Sequence, residues 1–153
     1  KKFIATLGCS AALLFAAEFQ VGTYFPNWLQ YSQFTPEDVR YDFLTNIHYG
    51  YFIPSEDGSS IANSDENDTP NFEKLASLSK EKKVSLTVNV GGVGNEETMK
   101  AVASSEEARA ALAEAAKSMV EQYGLAGIEL ELYSRPITTT TSICFRYGKH
   151  FQF

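Results

Sequence analysis

A short β-rich run, a breaker and then a capped helical stripe recur along the chain from residue 21 to residue 133. Val21 to Trp28 (VGTYFPNW) is the first such run, stopped by Pro26-Asn27. Thr35-Pro36-Glu37-Asp38 follows with an N-cap residue, a first-turn proline and two acids, the marks of a helix N-terminus. Ile47 to Ile53 (IHYGYFI) is the second run; Pro54 ends it and the polar loop SEDGSSIANSDENDT follows. Thr69-Pro70 opens the next helix, with Phe72, Leu75 and Leu78 at helical spacing. Val84 to Val90 (VSLTVNV) is the third run, broken by Gly91-Gly92. Ser104 and Glu107 read as a capping box, Leu112, Ala115, Met119 and Tyr123 as the buried stripe of a long helix, and Gly124 as its terminator. Strands that alternate with helices are joined by crossovers, which makes neighbouring strands parallel. The expectation is an α/β fold with parallel strands near 21–26, 47–53, 84–90 and 127–133, adjacent in sequence order with right-handed connections.

The fourth run, GIELELY, alternates apolar and acidic residues. Successive side chains on a strand point to opposite faces, so Glu129, Glu131 and Tyr133 share one face and Ile128, Leu130 and Leu132 the other. Residues two apart stand roughly 6.5–7 Å from each other on that face, near enough to converge on one small ligand. The spacing fits the acidic floor of a site, but taken alone it favours the wet side of an ordinary sheet, since such alternation describes any half-buried strand.

With 153 residues the chain is long enough for one domain with a real core. Its net charge of −6 and the lack of any basic stripe argue against nucleic acid as a partner. Lys1 and Lys2 precede an apolar run from Phe3 to Ala17, so residues 1–19 read as a secretory signal peptide or, alternatively, an N-terminal apolar segment that forms a buried helix or a membrane anchor. Cleavage would leave Cys144 as the only cysteine, which excludes a disulfide framework and a cysteine-rich zinc site in the mature chain. Asp57, Asp65, Glu66 and Asp68 lack the spacing of a calcium loop and read as a solvated loop, so no metal or other cofactor is expected. Asn67-Asp68-Thr69 is a glycosylation sequon for a eukaryotic secretory route. His48 reads as a core or hydrogen-bonded histidine with no acid or second histidine beside it in sequence, and His150 lies in the tail. That tail, residues 137–153, has no helical stripe and no cap and is left without a role.

Four of these stretches together resemble the first half of a glycoside hydrolase family 18 barrel, the chitinase fold. VGTYFPNW resembles the first strand and TNIHYGYF the second. VNVGG resembles the third-strand Ser-x-Gly-Gly motif, falling on Asn89 to Gly92, and AGIELELY resembles the signature Asp-Gly-x-Asp-x-Asp-x-Glu, falling on Ala126 to Tyr133. The resemblance covers residues 20–136 and implies a partial (β/α)8 barrel of about four parallel βα units, with its site at the carboxyl ends of the strands. It further implies chemistry on chitin, chitooligosaccharides or N-glycans in a secreted protein. In the family the final Glu protonates the glycosidic oxygen, and the Asp two residues earlier holds the acetamido group whose oxygen attacks the anomeric carbon. Those two positions are Tyr133 and Glu131 here, with Glu129 at the inner Asp.

The departures fall where that chemistry is done. Ala126 replaces the first Asp, Glu129 and Glu131 replace the inner two, and Tyr133 stands at the general acid. Asn89 replaces the third-strand Ser, and Thr23 stands where a first-strand Tyr usually supports the inner Asp. Gly22, Gly91, Gly92, Gly124 and Gly127, which shape the backbone, are kept. Among the aromatics, the resemblance puts Phe25 and Tyr51 on the sugar side and Trp28 at the rim. The expected function is a chitinase-like domain acting on or binding N-acetylglucosamine glycans with impaired catalysis, represented by a truncated or frame-shifted half-barrel. The alternatives are a non-catalytic carbohydrate-binding protein and a membrane-tethered structural protein. Half a barrel also leaves two open sheet edges, through which self-association is expected.

Overall fold

The computed structural model describes residues 19–132 and, as backbone, residues 141–146. The expected signal segment and Tyr133 lie outside the described residues. Four strands run parallel in one sheet: β1 (Gly22–Pro26), β2 (Asn46–Pro54), β4 (Ser85–Gly91) and β5 (Gly127–Leu132). They stand side by side in the order β1-β2-β4-β5, as the alternation of strands and helices requires. Helix α1 (Thr69–Lys82) connects β2 to β4, and α2 (Glu96–Ser104) with α3 (Glu106–Tyr123) connects β4 to β5. This is a partial (β/α) barrel of roughly four units. Among the described residues no helix is long and apolar enough to cross a membrane.

The first crossover departs from expectation. Instead of an α-helix it holds three short 3-10 turns, at Asn27–Ser32, Pro36–Asp38 and Tyr41–Phe43. The cap at Thr35 forms as read: its backbone N–H and its hydroxyl both donate to Asp38 Oδ2, at 2.8 and 2.9 Å. The helix then stops after one turn, because Val39, Tyr41 and Leu44, which pack on the core, are spaced two and three apart. No 3.6-residue stripe is available to bury. Ser105, not Ser104, caps α3 by accepting from Ala108 N–H at 3.2 Å, since Ser104 is the last residue of α2.

Two strands were not foreseen. Within the polar loop after Pro54, β3 (Ile61–Asn63) folds back antiparallel on β2. In the unassigned tail, β6 (Thr141–Arg146) pairs antiparallel with β5. One of the two edges expected to be open is therefore occupied by the chain itself.

Alternation along the strands separates two faces. Phe25, Ile47, Tyr49, Leu86, Val88 and Ile128 point towards the helices and pack with Phe72 and Leu75 of α1 and Met119 and Val120 of α3. The register between β2 and β4 slips after Gly50, so Tyr51 is an extra residue in β2 and Phe52 re-enters the core. Phe72 meets the rings of Tyr49, Phe52 and Tyr123, each with centroids 4.9 Å away. Phe25 belongs to this core. It is 2% exposed and stacks 6.3 Å from Tyr49, which corrects its expected place on the sugar side.

A carboxylate sits inside this apolar layer. Asp68 is 0% exposed. The Tyr49 phenol donates to its Oδ2 at 2.7 Å and Asn71 Nδ2 to its Oδ1 at 2.7 Å. Burial pushes the Tyr49 phenol well above its usual range, so this group keeps its proton and acts as a donor. Burial likewise lifts the Asp68 carboxyl above the usual range, against the pull of its two donors. Asp68→Ala should cost about 1–3 kcal/mol for each donor left unpaired, measured by urea unfolding. The ionised form of Asp68 costs stability at neutral pH, and this cost falls away as pH drops through the raised folded value towards the ordinary carboxylate range. Wild type should therefore gain stability relative to Asp68→Asn across that window; a difference independent of pH would contradict the assignment.

Candidate functional site

The face turned away from the helices carries the polar side chains. Pairing places Tyr24, His48 and Thr87 side by side on β1, β2 and β4, and one rung further on Gly50, Asn89 and Glu129. Gly91 and Glu131 form the next rung, at the carboxyl ends of β4 and β5.

The lower of these layers is closed by hydrogen bonds. Glu129 Oε1 accepts from His48 Nδ1 at 2.6 Å and from the Thr87 hydroxyl at 2.9 Å. Thr87 Oγ1 also stands 2.9 Å from His48 Nδ1, so the three groups form a triangle. On the far side of the imidazole, Asn46 Nδ2 lies 2.8 Å from His48 Nε2. Thr45 Oγ1 donates to Asn46 Oδ1 at 2.7 Å, which leaves the Asn46 amide nitrogen to face the ring. The Tyr24 ring covers this layer, 5.2 Å from the imidazole.

The upper layer is shaped by glycine. Gly92 has φ +87° and receives no side chain; a Cβ there would stand 3.4 Å from Tyr51 Cδ2 and 3.7 Å from Glu131 Oε2. Both Tyr51 and the Glu131 carboxylate thus approach Gly92, whose N–H donates to the Glu131 carbonyl at 3.2 Å. Asn89 is buried between the layers, and its Oδ1 has no hydrogen-bond partner among the described residues. Trp28 stands exposed on the turn that follows β1.

Of the residues singled out from sequence, Glu129, Asn89, Glu131 and Tyr51 share the interior face, while Phe25 does not. Two participants were missed. His48 was read as hydrogen-bonded but without an acid; its acid is Glu129, 81 residues away in sequence and adjacent across β4. Tyr24, not Thr23, is the first-strand residue facing this layer, because Thr23 pairs beside Ile47 on the helix side. Counting two residues back from the plainly apolar Phe25 would have shown this. Among the described residues no three His, Cys, Asp or Glu side chains converge to hold a metal ion.

Comparison with known proteins agrees with this geometry. Residues 20–138 match the family model for Glycosyl hydrolases family 18. The chain is 30% identical over 125 residues to "Probable chitinase 10" of Drosophila melanogaster, a match spanning 76% of this chain and 5% of that protein. Among solved structures, the Ostrinia furnacalis Group II chitinase catalytic domain 2 superposes with a TM-score of 0.65 at 25% identity, over 73% of this chain and 31% of that one. Its Group IV chitinase gives 0.67 at 22%, over 74% and 32%. Human YKL-39, described as a pseudo-chitinase with retained chitooligosaccharide binding properties, gives 0.65 at 16%, over 75% and 33%. The chain thus spans about a third of these solved chains. With its parallel half-barrel, its interior carboxylates and this match, the chain belongs to glycoside hydrolase family 18.

Proposed function

We propose that this domain binds N-acetylglucosamine oligomers at the carboxyl ends of its strands, in a secreted setting, and hydrolyses them poorly. The observation that carries this reading is the unequal treatment of two like acids on one strand. Glu129 is committed to His48 and Thr87. Glu131 shares the Gly92 position with the aromatic Tyr51, each within 4 Å of where a Gly92 Cβ would stand. A carboxylate and an aromatic face are what an acetamido sugar uses, the first for its N–H and the second for the apolar side of its ring. Trp28 would add a further stacking surface at the rim, and Asn89 a polar group at the floor.

The family reaction needs a general acid at the place that Tyr133 takes by resemblance. Losing such an acid costs about 10²–10⁴ in rate, and a phenol with an ordinary pKa of about 10 is a poor substitute at neutral pH. Glu131 carries one methylene more than the Asp it replaces, and a displacement of about an ångström can cost about 10² more.

Two experiments test this. Titration with chitooligosaccharides should show binding that Trp28→Ala and Glu131→Gln weaken, while fluorophore release from a chitobioside stays at background. Turnover abolished by Tyr133→Phe would contradict the reading and make Tyr133 the acid. The second concerns the committed carboxylate: with Asn46 Nδ2 donating to Nε2, neutral His48 should carry its proton on Nδ1 and donate to Glu129. Imidazole nitrogen shifts by NMR report this directly, and a proton on Nε2 would remove the lock on Glu129.

A further inference from the structure

The turn that carries the rim aromatics is held by side chains as well as by its own backbone. Trp28 and Tyr31 are 55% and 70% exposed, so burial does little to fix their rings. A 3-10 helix of six residues is weak in itself, because its hydrogen-bond geometry is poor. Asn27 Nδ2 donates to Ser64 Oγ at 2.6 Å and to Asn63 Oδ1 at 3.3 Å. Gln30 Nε2 and the Tyr31 phenol both donate to Asp65 Oδ2, at 2.9 and 2.6 Å. Three consecutive residues, 63–65, thus grip three residues of the turn.

The gripping residues are themselves anchored. Asn63 ends β3, and its Nδ2 donates to the Tyr49 phenol at 2.7 Å, which in turn donates to buried Asp68. Asp65 caps the next turn by accepting from Asn67 N–H at 3.0 Å. A continuous series of hydrogen bonds therefore runs from the rim to the core. The Tyr31 contact draws the Asp65 carboxyl below its usual range and lifts the Tyr31 phenol above its own, as a phenol donating to a carboxylate should.

We infer that Asn63, Ser64 and Asp65 form a positioning clamp that fixes the Trp28 rim and so sets where an outer sugar ring can stack. The inference rests on the glycan-binding reading above. It assigns a purpose to the β3 excursion, which lies outside the parallel strand–helix alternation. Asp65 acts through Gln30 and Tyr31, so its role is positional.

Trp28 is the single tryptophan of the chain, so emission excited selectively over the tyrosines reports on the rim. Tyr31→Phe combined with Gln30→Ala removes both donors to Asp65 and keeps the Tyr31 ring. This variant should show faster nanosecond anisotropy decay of Trp28, and its affinity for chitopentaose should fall about threefold to tenfold. Its melting temperature should stay within about 2 °C of wild type. Asp65→Ala should lose affinity to a similar extent, and Asp65→Asn, which keeps an acceptor oxygen, should restore most of it. Wild-type binding with unchanged anisotropy and affinity in the clamp variants overturns the clamp alone. Affinity lost in step with melting temperature, without rescue by Asp65→Asn, also overturns it by marking a merely structural role. A wild-type chain that binds no chitopentaose overturns the glycan-binding reading, and the clamp's purpose with it.

Discussion

The hydrogen bond from the Tyr49 phenol to Asp68 joins the middle of the sheet to the start of its main covering helix. Tyr49 lies on β2, which pairs with β1, β3 and β4, and Asp68 immediately precedes α1. An uncompensated carboxylate in this layer would be costly, and only the paired donors of Tyr49 and Asn71 make it tolerable. The same phenol also accepts from Asn63, which fastens the β3 excursion to the core. Once β2 is fixed with Tyr49 facing the helices, alternation obliges His48 to face the barrel interior.

That obligation shapes the chemistry. Glu129 and Glu131 are the same residue type on the same face of one strand, yet they meet different neighbours. Glu129 stands one rung above His48 and Thr87 and reaches back to them, so that their donors converge on one carboxylate oxygen. Glu131, one rung higher, meets the backbone bend at Gly91-Gly92, where the Tyr51 ring also approaches. Tyr51 reaches this position because of the irregularity in β2, which shifts the phase of the strand between Gly50 and Phe52. A closed lower layer and an open upper one follow from strand register alone.

Much of this was legible in the sequence, and for physical reasons. β-branched and aromatic runs bounded by Pro and Gly located the four parallel strands, and Phe72 and Leu75 at helical spacing located α1. What periodicity could not show was phase and partnership. The interior first-strand residue was placed at Thr23 and the sugar-facing aromatic at Phe25, each one residue away from Tyr24, because several adjacent aromatics in VGTYFPNW mask the alternation. The acid partner of His48 could not be read, since it comes from β5, two strands over. The Thr35 cap was read correctly, but a cap signals where a helix begins and not whether an apolar stripe exists to sustain it. IAN and Thr141–Arg146 each form a strand because a neighbouring strand offers an unpaired edge, a tertiary cause that local sequence does not record.

The most direct test is a crystal structure of the full chain with a bound chitooligosaccharide. An acetamido group against Glu131 and the Tyr51 ring, a sugar ring on Trp28, and Glu129 still on His48 Nδ1 is the predicted result. A Glu129 carboxylate that has left His48 to contact the sugar, or a glycan bound away from the carboxyl ends of the strands, would contradict it.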